Sequence, residues 1–150
     1  MMRALLVGTL LLATAACGDE PRRARPFAAA AECGNHEMGC PRPIFAVASL
    51  RDELAYYRDQ LGFQVDWEWG EPADFASVSR SETTIFLGES PHGGYGALWV
   101  SAKDVDKLHA ELKQRGARIE MAPTNMPWGS REMHVRDRDG NLLRFAGPTR

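Results

Sequence analysis

The sequence has little net charge, few cysteines and only one long apolar run. Its 150 residues carry 18 Lys and Arg against 20 Asp and Glu, a formal net charge of −2. A chain with this balance has no excess of positive charge to bind the phosphates of a nucleic acid, so we expect no nucleic-acid partner. The three cysteines all precede residue 43. With 44% hydrophobic residues, the chain has room for one ordinary domain with its own core.

The long apolar run lies at the N-terminus and has the layout of an export signal. Arg3 is followed by an apolar stretch over residues 4–13, and small residues then precede Cys17. The run is too short to span a bilayer stably. Thr14-Ala15-Ala16-Cys17 resembles a bacterial lipobox, with Thr where Leu is usual. We predict a signal peptide over residues 1–16 and a lipidated Cys17 that anchors the protein in the cell envelope, facing the periplasm. The alternative is an ordinary cleaved signal with an incidental cysteine.

Residues 17–42 have the polar, proline-punctuated composition of a flexible tether. Cys33 and Cys40 lie within it and can close a small disulfide loop in an oxidising compartment. Two alternatives stay open. The thiols can be free, or they can bind a metal together with His36, although two cysteines and one histidine fall short of a closed zinc set.

From residue 43 to about residue 148 the hydrophobic pattern can be laid out twice. Each half predicts a strand, an amphipathic helix ended by Gly62 or Gly116, and three further strands. The predicted helices span residues 50–61 and 105–115, and the predicted strands span residues 44–47, 63–69, 75–80, 83–88, 97–101, 118–122, 131–136 and 142–146. The sequence therefore predicts an α+β domain of two tandem βαβββ units.

Two phrases of the sequence resemble those of a known superfamily. One is W-G-S-R-E followed by R-D-R-D-G-N over residues 128–141, and the other is Y-Y-R-D-Q-L-G-F over residues 56–63. Both are similar to motifs of the vicinal oxygen chelate superfamily, which holds glyoxalase I, ring-cleaving dioxygenases, fosfomycin-resistance enzymes and bleomycin-resistance proteins. The resemblance covers roughly residues 41–148. It implies tandem βαβββ units, a curved mixed sheet with a concave cleft, and a homodimer.

Metal-dependent members of that superfamily place His, Gln or Glu at four strand positions to hold a divalent ion. The resemblance puts these positions on Arg42, Phe86, Ala97 and Arg144. None of these side chains can ligate a metal. We therefore expect neither a metal nor another cofactor. This argues against the glyoxalase, dioxygenase and fosfomycin-transferase activities, which need the ion as a Lewis acid.

Strand alternation predicts which side chains reach the cleft. Trp99 and Arg144 should face it, and Trp67 should share a strand face with Val65 and Trp69. Indoles suit flat aromatic ligands, and arginine can stack on rings or bind carboxylates. The candidate ligand-binding residues are Trp67, Trp69, Phe86, Trp99, Trp128, Arg131, His134 and Arg144. The alternative is that most of the tryptophans are core or dimer-interface residues.

The stretch P-W-G-S-R-E over residues 127–132 is similar to the bleomycin-resistance branch, whose members sequester a large aromatic drug and perform no chemistry on it. The leading hypothesis is therefore an exported lipoprotein that binds a small aromatic or amphipathic molecule, with antibiotic sequestration as a special case and no catalytic residue. One alternative is a protein-interaction module of the cell envelope. Another is a lyase or isomerase that uses Glu132 or His134 as a base.

Overall fold

A computed structural model of the protein describes residues 40–150, which form two βαβββ units. The first unit contains β1 (Ile44–Val47), α1 (Leu50–Asp59), β2 (Gln64–Gly70), β3 (Ala73–Arg80) and β4 (Thr83–Glu89). The second contains β5 (Ala97–Ser101), α2 (Val105–Gln114), β6 (Arg118–Asn125), β7 (Ser130–Arg136) and β8 (Leu142–Pro148). Within residues 40–150, no helix is long and apolar enough to cross a membrane.

The predicted signal peptide, the lipidated Cys17 and most of the predicted tether lie outside the described residues. Cys40 is disulfide-bonded. Because Cys17 and Cys33 lie outside the described residues, the pairing of Cys33 with Cys40 stays a prediction.

Each unit builds its own four-stranded mixed sheet. Sheet A has the strand order β1-β4-β3-β2, and sheet B has the equivalent order β5-β8-β7-β6. In both sheets the first strand runs parallel to the last one of its unit, and the other pairings are antiparallel. This repetition confirms the tandem α+β arrangement predicted from the sequence.

Both helices begin at the predicted residue, and they end two residues and one residue earlier than predicted. Ser49 and Asp104 are the N-caps, and their side chains accept hydrogen bonds from backbone N–H groups in the first turn. Gly62 and Gly116 follow the helices with φ of 72° and 80°, a conformation that glycine adopts without strain. The apolar face of α1 is buried as predicted, and Glu53 is buried beside it.

One face of each sheet packs on the helices, and we call the other the open face. In sheet B the alternation predicted from the sequence holds, because Leu143 and Phe145 are buried in the core whereas Trp99 is exposed. In β2 the predicted alternation is wrong. Val65 pairs with Val78 but Trp67 pairs with Ser77, so an extra residue is inserted between them. This bulge turns Val65 to the core and Trp67 to the open face.

Helix α1 joins the two units by contacting the start of β6, the end of β7 and the β7–β8 turn, residues 137–141. The Tyr56 hydroxyl donates to the carbonyl of Arg136 (2.8 Å) and accepts from the N–H of Arg118 (2.9 Å). The Tyr57 hydroxyl donates to Oδ2 of Asp137 (3.3 Å). These bonds satisfy both tyrosine hydroxyls in an otherwise apolar core, which contains residues of both units.

Glu53 is a second buried acid of this junction, beside Asp137. Its side chain accepts from the N–H of Arg138 (3.1 Å) in the β7–β8 turn. Burial and the nearby negative charge of Asp137 raise the pKa of Glu53 from 4.5 to about 7. A raised carboxyl pKa means that the folded protein binds a proton which the unfolded chain releases between pH 4.5 and 7. Stability from this group therefore falls as the pH rises through that window.

We predict that Glu53→Gln removes this pH dependence. The amide keeps an oxygen for the N–H of Arg138 but does not titrate. Relative to the variant, the wild-type free energy of unfolding should fall by up to about 3 kcal/mol between pH 4.5 and pH 8, as measured by urea denaturation at both pH values. Asp52→Asn, which removes an exposed charge one residue away, is the control. A constant difference between wild type and Glu53→Gln would contradict the prediction.

Candidate functional site

A row of four side chains crosses the open face of sheet B. Trp99 of β5, Arg144 of β8, His134 of β7 and Met121 of β6 are register partners on neighbouring strands. Partners on one face lie about 5 Å apart at Cβ, so their side chains can act together. Trp99 is 55% exposed. The row therefore combines an exposed indole, a guanidinium and an imidazole.

Glu132 lies one row further along the same face and is only 1% exposed. Its Oε1 accepts from the indole Nε1 of Trp128 and from the hydroxyl of Ser130, both at 2.7 Å. Its Oε2 accepts from a terminal nitrogen of Arg144 at 2.7 Å. Trp128, Ser130, Glu132, His134 and Arg144 are called the Glu132 cluster below.

These hydrogen bonds determine the charge of Glu132. Burial acts to raise the pKa of its carboxyl, but the bonds from Ser130, Arg144 and Trp128 outweigh burial and lower the pKa to about 2. Glu132 is thus an anion at neutral pH. A carboxylate with so low a pKa accepts a proton poorly, so this pKa does not favour Glu132 as the general base of an enzyme.

Trp128 is held at one edge and open at its face. Its loop precedes β7, and the bond to Glu132 fixes the indole nitrogen while 62% of the residue stays exposed. Two atoms of the cluster, Nε of Arg144 and Nε2 of His134, are buried without a hydrogen-bond partner in the described part of the chain. Nε2 of His134 lies 3.6 Å from Oε2 of Glu132.

The open face of sheet A is aromatic. Trp67, Phe75 and Phe86 contact each other with ring centroids 5.3 to 5.8 Å apart. Trp69 pairs with Phe75 across β2 and β3 and is 71% exposed. The β2 bulge also brings Asp66 to this face, where its carboxylate accepts from two serine hydroxyls. Sheet A therefore offers flat apolar surface with no unsatisfied acid among these groups.

The residues present do not fit the metal ion of the metal-dependent relatives. Arg42 lies over the ring of Phe86, 5.9 Å from its centroid, as a cation–π pair. Arg144 is ion-paired with Glu132. Ala97 offers only a methyl group. Residues 40–150 contain no group of three or more His, Cys, Asp or Glu side chains that could hold a metal ion.

The structure divides the candidate residues predicted from the sequence into two groups and leaves one apart. Trp67, Trp69 and Phe86 lie on the open face of sheet A. Trp99, Trp128, His134 and Arg144 lie on or beside the open face of sheet B. Arg131 belongs to neither group.

Arg131 points to the opposite face of β7. Its guanidinium donates to both carboxylate oxygens of Asp106 in α2, at 2.7 and 2.8 Å. It also donates to the side chain of Asn125. We therefore assign Arg131 to the packing of α2 on sheet B and leave it out of the proposed site. Alternation from the buried Met133 and Val135 would have indicated this face from the sequence.

Sequence reasoning also missed the central role of Glu132 and the aromatic partner Phe75. Glu132 is two residues before His134 and therefore shares its face, which is a signal the sequence does contain. Nothing in the sequence showed that three donors would converge on it. Phe75 alternates with the buried Ala76 and Val78 in β3, so strand parity would have placed it on the open face.

We predict that Glu132→Gln lowers the free energy of unfolding by about 2–4 kcal/mol at pH 7, because Arg144 is left without its anion and one donor faces an amide N–H. The folded-state pKa lies below 4.5, so this stabilisation is present above pH 4.5 and is lost as the pH falls towards 2. The two proteins should converge in acid. Urea denaturation from pH 7 to pH 2.5 measures this.

The matched control is Glu120→Gln, which removes the acid paired with Arg136 on the same open face. Glu120 is half-exposed, so its loss should cost less than about 1 kcal/mol. Equal losses for the two variants, or a loss at Glu132 that persists unchanged at pH 2.5, would contradict the role given to the buried carboxylate.

Solved structures with the same fold include three that bear on the site. A bleomycin-binding protein complexed with bleomycin is 18% identical, with a TM-score of 0.65, and the match covers 75% of this chain and all of that one. The bleomycin-binding protein of bleomycin-producing Streptomyces verticillus, complexed with copper(II)-bleomycin, is 23% identical, with a TM-score of 0.62 and coverage of 76% and 99%. TioX from Micromonospora sp. ML1 is 19% identical, with a TM-score of 0.64 and coverage of 74% and 100%.

At these identities the likeness shows the fold alone. No curated protein sequence matches this chain. The model of the glyoxalase/bleomycin resistance protein/dioxygenase superfamily, however, matches residues 40–145. The match takes in both βαβββ units and both open faces, so this chain belongs to the glyoxalase/bleomycin resistance protein/dioxygenase superfamily.

Proposed function

We propose that this protein binds a small molecule with a flat aromatic part, holds it non-covalently and performs no chemistry on it. The observation that carries the proposal is the pair of exposed indoles, Trp99 and Trp128, beside the ion pair between the buried Glu132 and the partly exposed Arg144. Large apolar rings left open next to oriented polar groups are the usual composition of a ligand site. The low pKa of Glu132 supports binding over proton transfer.

Antibiotic sequestration is the specific role that we favour. Two of the similar structures are bleomycin-binding proteins with the drug bound. Both share the tandem units that expose aromatic side chains here. The role needs only stoichiometric binding, and the site has the groups for that.

We extend the proposal to a homodimer. Sheets A and B share no strand pairing within one chain, and each covers only one side of a ligand. A second copy can supply the opposite wall, so that Trp67, Trp69 and Phe86 of one chain face the Glu132 cluster of the other. Closed two-fold dimers are the commonest oligomers and would give two equivalent sites.

We also propose that the domain acts outside the cytoplasm, tethered through a lipid on Cys17. The support is the sequence pattern of residues 1–17. The membrane would then be contacted through the lipid anchor only, and the domain would meet its ligand in the periplasm.

The lipid anchor predicts a clear difference between two cysteine variants. Cys17→Ser should abolish incorporation of a labelled fatty acid and move the protein from the membrane fraction to the soluble fraction, because one covalent lipid is the only attachment. Cys33→Ser, which removes a cysteine from the tether, should keep both label and membrane association. Label that persists in Cys17→Ser would contradict the anchor.

Binding itself is tested by titrating the purified protein with bleomycin and a panel of flat aromatic drugs, following tryptophan fluorescence. We expect saturable quenching by at least one compound. Trp128→Ala should weaken that binding by about five- to thirtyfold, since stacking on an exposed indole contributes on the order of 1–2 kcal/mol. Tyr95→Ala removes an exposed aromatic residue outside both sheets and should leave the affinity unchanged.

A flat response to the whole panel would contradict the binding role. The exposed indoles would then be better explained as a contact surface for another envelope protein. Equal affinities of wild type and Trp128→Ala would support a binding role for the protein but would contradict the placement of the binding site at the Glu132 cluster.

A further inference from the structure

Hydrogen-bond donors outnumber acceptors in the Glu132 cluster. The guanidinium of Arg144 carries five N–H groups. Among residues 40–150, its hydrogen bond runs from a terminal nitrogen to Glu132. Its Nε is buried without a partner in the described chain. A buried donor without an acceptor is costly. Nε itself is enclosed, but 35% of the Arg144 side chain is exposed, so the terminal N–H groups that Glu132 does not use are open to an acceptor from solvent.

The sheet itself supplies no further acid. On the open face of sheet B the acidic side chains of the strands are Glu120 and Glu132. Glu120 is ion-paired with Arg136 at 2.9 Å. Glu132 already accepts three hydrogen bonds from Trp128, Ser130 and Arg144. The acceptor that Arg144 lacks has to come from outside these strands.

The unused donors lie beside the exposed rings. Arg144 is the register partner of Trp99 on one side and of His134 on the other. Trp128 is tied to the same carboxylate as Arg144. An aromatic ring stacked on either indole would thus hold its substituent within reach of the guanidinium, whose orientation Glu132 fixes from behind. A guanidinium held in this way matches the geometry of a carboxylate.

We propose that the site selects flat aromatic molecules bearing a carboxylate, and that Arg144 is the residue that determines this selectivity by donating hydrogen bonds to it. This inference rests on the proposed function, because it names the ligand class of the same site. Selectivity for carboxylates would distinguish this protein from a receptor for cationic aromatic drugs. A cationic substituent would meet Arg144 and find the nearby acids already paired.

The test is calorimetric titration of the purified full-length protein with three probes that share one ring system. They are naphthalene acetate, naphthalene acetamide and naphthyl ethylamine, whose substituents are anionic, neutral and cationic. We expect the acetate to bind at least about tenfold more tightly than the acetamide, and the amine to bind most weakly, since charge-assisted hydrogen bonds are roughly twice as strong as neutral ones.

Arg144→Gln should reduce the acetate affinity to about that of the acetamide, while the acetamide affinity changes by less than about threefold. Because this variant leaves a buried carboxylate unpaired, the double variant Arg144→Gln with Glu132→Gln repeats the measurement without that charge. Arg136→Gln is the matched control: it removes an arginine from the same face whose partner is Glu120, and it should keep the preference for acetate.

The outcomes separate this inference from the function on which it rests. Equal affinities for the three probes would overturn the carboxylate selectivity but leave aromatic binding intact. A preference for acetate that survives in both Arg144 variants would overturn the assignment to Arg144. No binding of any probe, together with a flat response to the drug panel, would overturn the proposed function as well.

Discussion

The buried carboxylate of Glu132 is the constraint on which the candidate site depends. A carboxylate that is 1% exposed is tolerable only if donors replace the water it has lost. Ser130, Trp128 and Arg144 provide those donors. Their hydrogen bonds to Glu132 fix the indole of Trp128 at its nitrogen and the guanidinium of Arg144 at one terminal nitrogen. The need to satisfy one buried anion thereby orients the groups that a ligand would meet.

The two units solve the same folding problem but present different chemistry. Phe86 of β4 and Arg144 of β8 are each paired with the first strand of their unit, at Ile44 and at Trp99. The equivalent position of the two units is thus occupied by an aromatic side chain in the first unit and by a cationic side chain in the second. Sheet A consequently has the character of a flat apolar wall, and sheet B carries the directional hydrogen-bonding groups. A ligand held between two copies would be stacked on one side and oriented on the other.

Much of the fold could be predicted because the spacing of apolar residues along a helix or strand indicates which of its faces is buried. The helix faces of α1 and α2 and the alternation in β5 and β8 follow from which residues are apolar. The faces of Trp67 and Val65 could not be predicted, because one inserted residue in β2 reverses the alternation between them. No residue type in this stretch indicates such an insertion. Arg131 has the strand parity of the buried Met133 and Val135, so alternation alone assigns it to the helix face of β7, whereas its pairing with Asp106, which is distant in sequence, follows only from the packing of α2.

The most direct test of this account is an NMR titration of the Glu132 carboxyl together with the indole Nε1–H of Trp128. The account predicts a pKa of about 2 for Glu132, with the Trp128 signal unchanged from pH 7 to about pH 3 and then shifting with the same midpoint. A Glu132 pKa near the 4.5 of an ordinary glutamate, or a Trp128 signal indifferent to that titration, would contradict it.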